Sequence, residues 1–166
     1  FRAAMTGHQV FATLHTHSAL GALARLADLG VLPDMMAGNI SGVIGQRLVR
    51  VLCVQCKTAS TPDDVEQRLL FLPNSPPPEM IFRPVGCPQC RGTGYRGRRT
   101  VMEVLRFDEE FDALVGSRAP LSAFRALVAQ REVMPLADAA VALVRAGETA
   151  LEEVLRVVDL TGRLAR

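Results

Sequence analysis

Tryptophan is absent from this sequence, and tyrosine and lysine each occur once. The shortage of aromatics weighs against a nucleic-acid surface that stacks bases, because only Tyr95 stands among the clustered arginines Arg91, Arg96, Arg98 and Arg99. The shortage of lysine excludes a phosphate-binding P-loop. That loop needs Gly-Lys-Ser/Thr, with the ammonium facing the β and γ phosphates and the hydroxyl reaching magnesium. Here Lys57 follows Cys56 and precedes Thr58, with no glycine loop before it. No apolar run reaches the roughly 18 to 20 residues of a membrane-spanning helix, and the N-terminus lacks the basic, apolar, small-residue order of a signal peptide. A soluble, cytoplasmic chain without membrane insertion is expected. Excess charge of either sign is also missing: the net charge is +2 with 22% charged residues, so composition leaves the partner open. Finally, Phe1 opens the chain in place of an initiator Met, directly ahead of a structured-looking segment. We expect a piece of a longer protein.

What is present is a 166-residue chain, 49% hydrophobic, long enough for one ordinary core or a core with a small satellite unit. Residues 9–16 (QVFATLHT) alternate roughly and carry β-branched and aromatic side chains, which predicts a strand. Ser18 can cap a helix running to about Leu29, with Gly30 as its stop. Pro33 can open a second helix reaching about Gly45, although Gly38 and Gly42 interrupt it. Further strands are expected at Leu48–Leu52, Ile81–Val85 and Arg99–Phe107, with a short helix around Asp63–Leu72 and a proline-rich surface loop (PNSPPPE) after it. Beyond Asp108 the pattern turns helical, with apolar faces over Leu121–Gln130, Leu136–Ala146 and Leu151–Val158.

All four cysteines fall into two Cys-x-x-Cys pairs, Cys53/Cys56 and Cys87/Cys90, separated by thirty residues. Two such turns supply four thiolates to one tetrahedral ion and leave no open position for a substrate, so the expected site is structural. Closing the long spacer costs entropy only logarithmically in its length. The alternatives are four unrelated buried thiols or two disulfides, the latter requiring an oxidising compartment that nothing in the chain announces; a redox pair would need a βαβ setting that neither pair has. The assignment to zinc over iron rests on how common each is.

Gly92, Gly94 and Gly97 spell G-x-G-x-x-G, but they follow a cysteine turn and lead into a β-branched segment, so the strand, turn and helix context of a dinucleotide site is missing. Their simpler role is to let the backbone turn tightly around metal-bound sulfurs. The run Cys87-Pro-Gln-Cys90-Arg-Gly-Thr-Gly also resembles a unit of the DnaJ chaperone zinc domain. That family uses four such units, and Cys53/Cys56 lacks the trailing glycines.

The three histidines, His8, His15 and His17, sit in a ten-residue window. His15 and His17 would share one face of the expected strand, which invites a metal reading. No carboxylate lies in that window, and satisfied core or loop positions are the alternative.

Thr6-Gly7-His8 followed by Ala12-Thr13-Leu14-His15-Thr16 resembles the histidine box of the secretion and pilus-assembly ATPases, the family of the type II secretion and type IV pilus extension ATPases. Gly45-Gln46-Arg47-Leu48-Val49-Arg50, the cysteine pairs, the run from Gly86 to Arg98 and Glu103-Val104-Leu105 continue the likeness in order. The resemblance implies an α/β fold: residues 1–52 as the C-terminal part of a RecA-like ATPase core, 53–106 as a zinc-binding insertion and 107–166 as a helical subdomain. It implies a nucleotide-proximal role for His8 and His15, and more weakly for Gln46 and Arg47, whereas at His17 the family more often has Asn. Its Walker A, acidic and Walker B elements precede the histidine box and are not in this chain, so the piece alone is expected to be inactive. The implied parent is a homo-hexameric ATPase using ATP and Mg2+. It would act at the cytoplasmic face of the bacterial inner membrane, alongside platform proteins and without nucleic acid. The competing reading is a zinc-ribbon module that binds nucleic acid or protein clients.

Overall fold

The computed structural model describes residues 1–72, 75–131 and 133–164; Pro73 and Asn74 of the expected proline-rich loop lie outside them. The architecture is mixed α/β with small sheets. Helices α1 (Arg2–Met5), α2 (Gly21–Asp28) and α3 (Pro33–Met36) precede strand β1 (Gly42–Leu52). Strand β2 (Thr58–Ser60), helix α4 (Asp64–Leu69), strand β3 (Ile81–Arg83) and strand β4 (Tyr95–Arg106) follow. Four helices close the chain: α5 (Glu109–Gly116), α6 (Leu121–Ala129), α7 (Leu136–Arg145) and α8 (Leu151–Val157). Among the described residues there are two two-stranded sheets, one of β1 with β4 and one of β2 with β3.

Contacts divide the chain into two compact units, neither continuous in sequence: Phe1–Gly45 with Glu103–Met134, and Gln46–Met102 with Pro135–Arg166. In the first, Ala19, Leu23 and Met36 pack with Leu105, Phe107, Phe111, Val115 and Phe124. The Phe107 and Phe111 rings stack with centroids 4.7 Å apart, and Asp108 caps α5 by accepting from the Phe111 N–H. In the second, Val49 and Val101 join Ile81 from β3 and the apolar faces of α7 and α8, where Ala140, Val141, Val144 and Val154 are fully buried. Each valine so buried stabilises the fold by about 1.5–3 kcal/mol.

Two expected elements are corrected. Residues 9–16 form no strand: no described strand lies alongside to share a ladder, and Val10 and Phe11 are left exposed. A strand without a partner has no hydrogen bonds to hold it extended. The expected helix from Pro33 to Gly45 ends at Met36, because Gly38 takes a left-handed φ of +73°. The β-branched Val43 and Ile44 then enter β1, which starts six residues before the expected strand at Leu48. No described helix is long and apolar enough to cross a membrane.

Candidate functional site

Cys53 and Cys56 follow directly on β1, in a turn where the N–H groups of Cys56 and Lys57 donate to the Cys53 carbonyl at 3.2 and 3.0 Å. The chain then leaves through β2 and returns through β3, with Thr58 opposite Arg83 and Ser60 opposite Ile81. This short ladder closes the thirty-residue spacer and sets the second cysteine turn beside the first. Cys87 opens a 3-10 turn over Pro88–Cys90, and the Cys53 N–H donates to the Gly94 carbonyl at 2.9 Å, tying the two turns together.

All four sulfurs lie within 4.8 Å of one another. The separations are 3.9 Å for Cys53–Cys87, 3.8 Å for Cys56–Cys90 and 3.7 Å for Cys87–Cys90. A tetrahedral ion bonded to four thiolates at about 2.3 Å requires sulfur–sulfur edges of about 3.8 Å. The cysteines are free of disulfides. Backbone N–H groups aim at the sulfurs: Gly86 at Cys56 (3.3 Å), Cys87 at Cys90 (3.1 Å) and Gly94 at Cys90 (3.2 Å). Burial pushes the Cys90 thiol up, but the N–H groups of Cys87 and Gly94 outweigh it and bring the pKa down to about 6. At Cys56 burial prevails over the one N–H from Gly86, and the thiol is pushed up to about 11. Four crowded sulfurs do not all ionise without a cation among them, so the donor set fits a metal ion.

Two glycines make this geometry reachable. Gly94 holds φ at +75°, and a Cβ there would stand 2.5 Å from the Pro84 Cβ. Gly86 holds φ at +115°, with the Gly92 carbonyl oxygen 2.6 Å from where a Cβ would be. The G-x-G-x-x-G run therefore serves the cysteine turn and enters strand β4 instead of a helix.

The other expected site residues are not gathered in this way. His8, His15 and His17 are exposed in an irregular segment of the first unit, with Thr6 Oγ1 3.1 Å from His8 Nδ1. Among the described residues, the four cysteines are the only group of three or more His, Cys, Asp or Glu side chains placed to hold a metal. Gln46 is exposed and Arg47 half-buried on β1, where the Arg47 guanidinium donates to the Gln46 carbonyl at 2.9 Å.

Sequence reasoning missed the support beneath the cysteines. The Glu153 carboxylate is buried on α8 and accepts from the Arg50 backbone N–H (3.1 Å), the Arg50 guanidinium (2.6 Å) and the Arg156 guanidinium (2.8 Å). Thr149 Oγ1 donates to the Arg50 carbonyl and the Leu52 N–H to the Glu148 carbonyl, both at 2.8 Å. The end of β1, from which Cys53 hangs, is thereby fastened to the start of α8. Burial pushes the Glu153 carboxyl up, but the hydrogen bonds from Arg156 and Arg50 overcome it and hold it down to about 2. The available signal was a carboxylate one turn from Ala150 and Val157, on the apolar side of a helix.

A family described as Type II/IV secretion system protein matches residues 1–156. The chain is 44% identical over 161 residues to the type IV pilus assembly ATPase TfpB of Acinetobacter baylyi, covering 96% of this chain and 28% of that protein. It is 41% identical over 157 residues to the type II secretion system ATPase E of Vibrio cholerae, covering 94% of this chain and 31% of that one. With the type II secretion system protein E of Aeromonas hydrophila the identity is 38% over 156 residues, again 94% of this chain and 31% of the relative. The chain thus spans just under a third of the length of these relatives.

Proposed function

The chain belongs to the type II/IV secretion system protein family, and from that premise we propose that it is the C-terminal part of an ATPase that powers type II secretion or type IV pilus assembly. The observation that carries this reading is the near-complete match to ATPases of both systems, at up to 44% identity with the one from A. baylyi. In the proposed parent, ATP and Mg2+ are bound by elements outside these 166 residues, and six copies form a ring at the cytoplasmic face of the inner membrane. Residues 1–52 contribute to a RecA-like core, 53–106 form the zinc-bearing subdomain and 107–166 the helical subdomain. The inner-membrane platform proteins of the system are the partners, and nucleic acid is not.

In this reading Cys53, Cys56, Cys87 and Cys90 hold one Zn2+, which supplies rigidity and no reaction chemistry. His8 and His15 stand near the nucleotide in the assembled parent. There a neutral imidazole donates to a phosphate oxygen and a protonated one adds charge. Gln46 and Arg47 lie beside the same region.

Turnover of ATP by the full-length protein tests the proposal. His8→Ala and His15→Ala are expected to lower kcat by about 10²-fold, while the isolated chain hydrolyses nothing. Unchanged turnover in both variants would remove the histidine assignment, and ATP hydrolysis by the isolated chain would overturn the division of labour.

A further inference from the structure

The arginines around the second cysteine turn are not consumed by the reading above. Arg91, Arg96 and Arg98 are exposed and, among the described residues, pair with no carboxylate, whereas Arg99 pairs with Glu148. Of these, Arg98 borders an open recess of about 560 Å³, together with Arg50, Thr93, Tyr95 and Gly97. The Arg50 guanidinium sits 4.1 Å from the centre of the Tyr95 ring, and it shares the single Glu153 carboxylate with Arg156. Arg50, Arg156 and Arg98 bring three positive charges against the carboxylates of Glu153 and the nearby Glu152, which leaves one in excess. The Glu152 carboxylate accepts from Arg83, but Arg83 is shared with Glu66 and offsets only one of the two acids, so the excess charge at the recess is that of Arg98. Gly97 contributes no side chain to fill the space, and a Cβ there would meet nothing within 4 Å.

We propose that this arginine face is a docking surface for an acidic protein segment, with one carboxylate seated in the Arg50–Tyr95–Arg98 recess and the exposed Arg91 and Arg96 outside it. Guanidinium forks match planar carboxylates in pairs of hydrogen bonds, and tyrosine and arginine are the residues that anchor interfaces. A nucleic-acid strand needs more stacking surface than one tyrosine gives. A flat bilayer meets exposed charges nearly equally, whereas a side chain seated beside Tyr95 singles out Arg98.

A fluorescein-labelled peptide of alternating Glu and Ser is the probe, titrated by fluorescence anisotropy into the metal-loaded chain at low and high salt. Binding is expected to weaken as salt rises. Arg98→Ala should weaken it about tenfold or more and Arg91→Ala less than about threefold, in line with an anchor and an exposed residue outside the recess. Among the described residues neither side chain has a partner, so both variants should melt as the parent chain does, and Tyr95→Phe should retain binding. No detectable binding, or equal losses at Arg91 and Arg98, would overturn the proposal. So would tighter binding to phosphatidylglycerol vesicles or to a single-stranded oligonucleotide than to the peptide.

Discussion

At the scale of single residues, Glu153 does the most with the least solvent. Its carboxylate is fully buried, and removing one member of a buried ion pair leaves the others uncompensated. Its two arginine partners are about half exposed, so water recovers part of the loss. Glu153→Gln is expected to destabilise the second unit by about 2–3 kcal/mol, read as a lower denaturant midpoint with an unchanged slope. The pH dependence follows from the depressed pKa. The unfolded carboxyl titrates at about 4.3 and the folded one at about 2. This contribution is whole above the unfolded value and is lost as pH falls from about 4.5 toward 2. A melting-temperature series over that range should show a drop that Glu153→Gln lacks.

Among elements, the cysteine turns make the sharpest demands on backbone shape. Gly94→Ala places a left-handed conformation on a residue with a Cβ, at about 1–3 kcal/mol, and adds a clash with Pro84. Gly92 shares φ +75° but has nothing within 4 Å of a Cβ, so Gly92→Ala should cost only the backbone term. Denaturation of the metal-loaded variants should separate the two. The capping box of α4 offers a milder case: the Asp63 side chain accepts from the Glu66 N–H while Glu66 accepts from the Asp63 N–H. Asp63→Ala should lower stability by about 1 kcal/mol. The cysteine spacing was legible because Cys-x-x-Cys fixes thiolate separation locally, whatever lies between the pairs. The helices α6 to α8 were legible because each presents a continuous apolar stripe. The segment 9–16 misled because alternation describes a side that a strand could bury and says nothing about whether a neighbour is there. Nor does the pattern reveal that Arg50 and Glu153, a hundred residues apart, meet: a pair between a strand and a helix leaves no local period.

On the scale of the whole molecule, the chain leaves its first unit after Gly45, returns at Glu103 and leaves again after Met134. The proposed metal belongs wholly to the second unit. Metal analysis of the purified chain should give one zinc per chain. Stripping it with a chelator should raise amide exchange in β2, β3 and the start of α8 well before α5 and α6 respond. Equal loss in both units would show that they stand or fall together. One further consequence lies with Lys57, the sole lysine. Its ammonium donates to the Gly147 carbonyl at 2.7 Å and rests 4.4 Å from the centre of the Phe82 ring. Apart from the chain's own amino terminus, it is the only amine an acylating reagent can find, and it is half-buried and hydrogen-bonded in the folded second unit. Its modification, read by mass spectrometry, is expected to speed up when that unit opens and these contacts are lost.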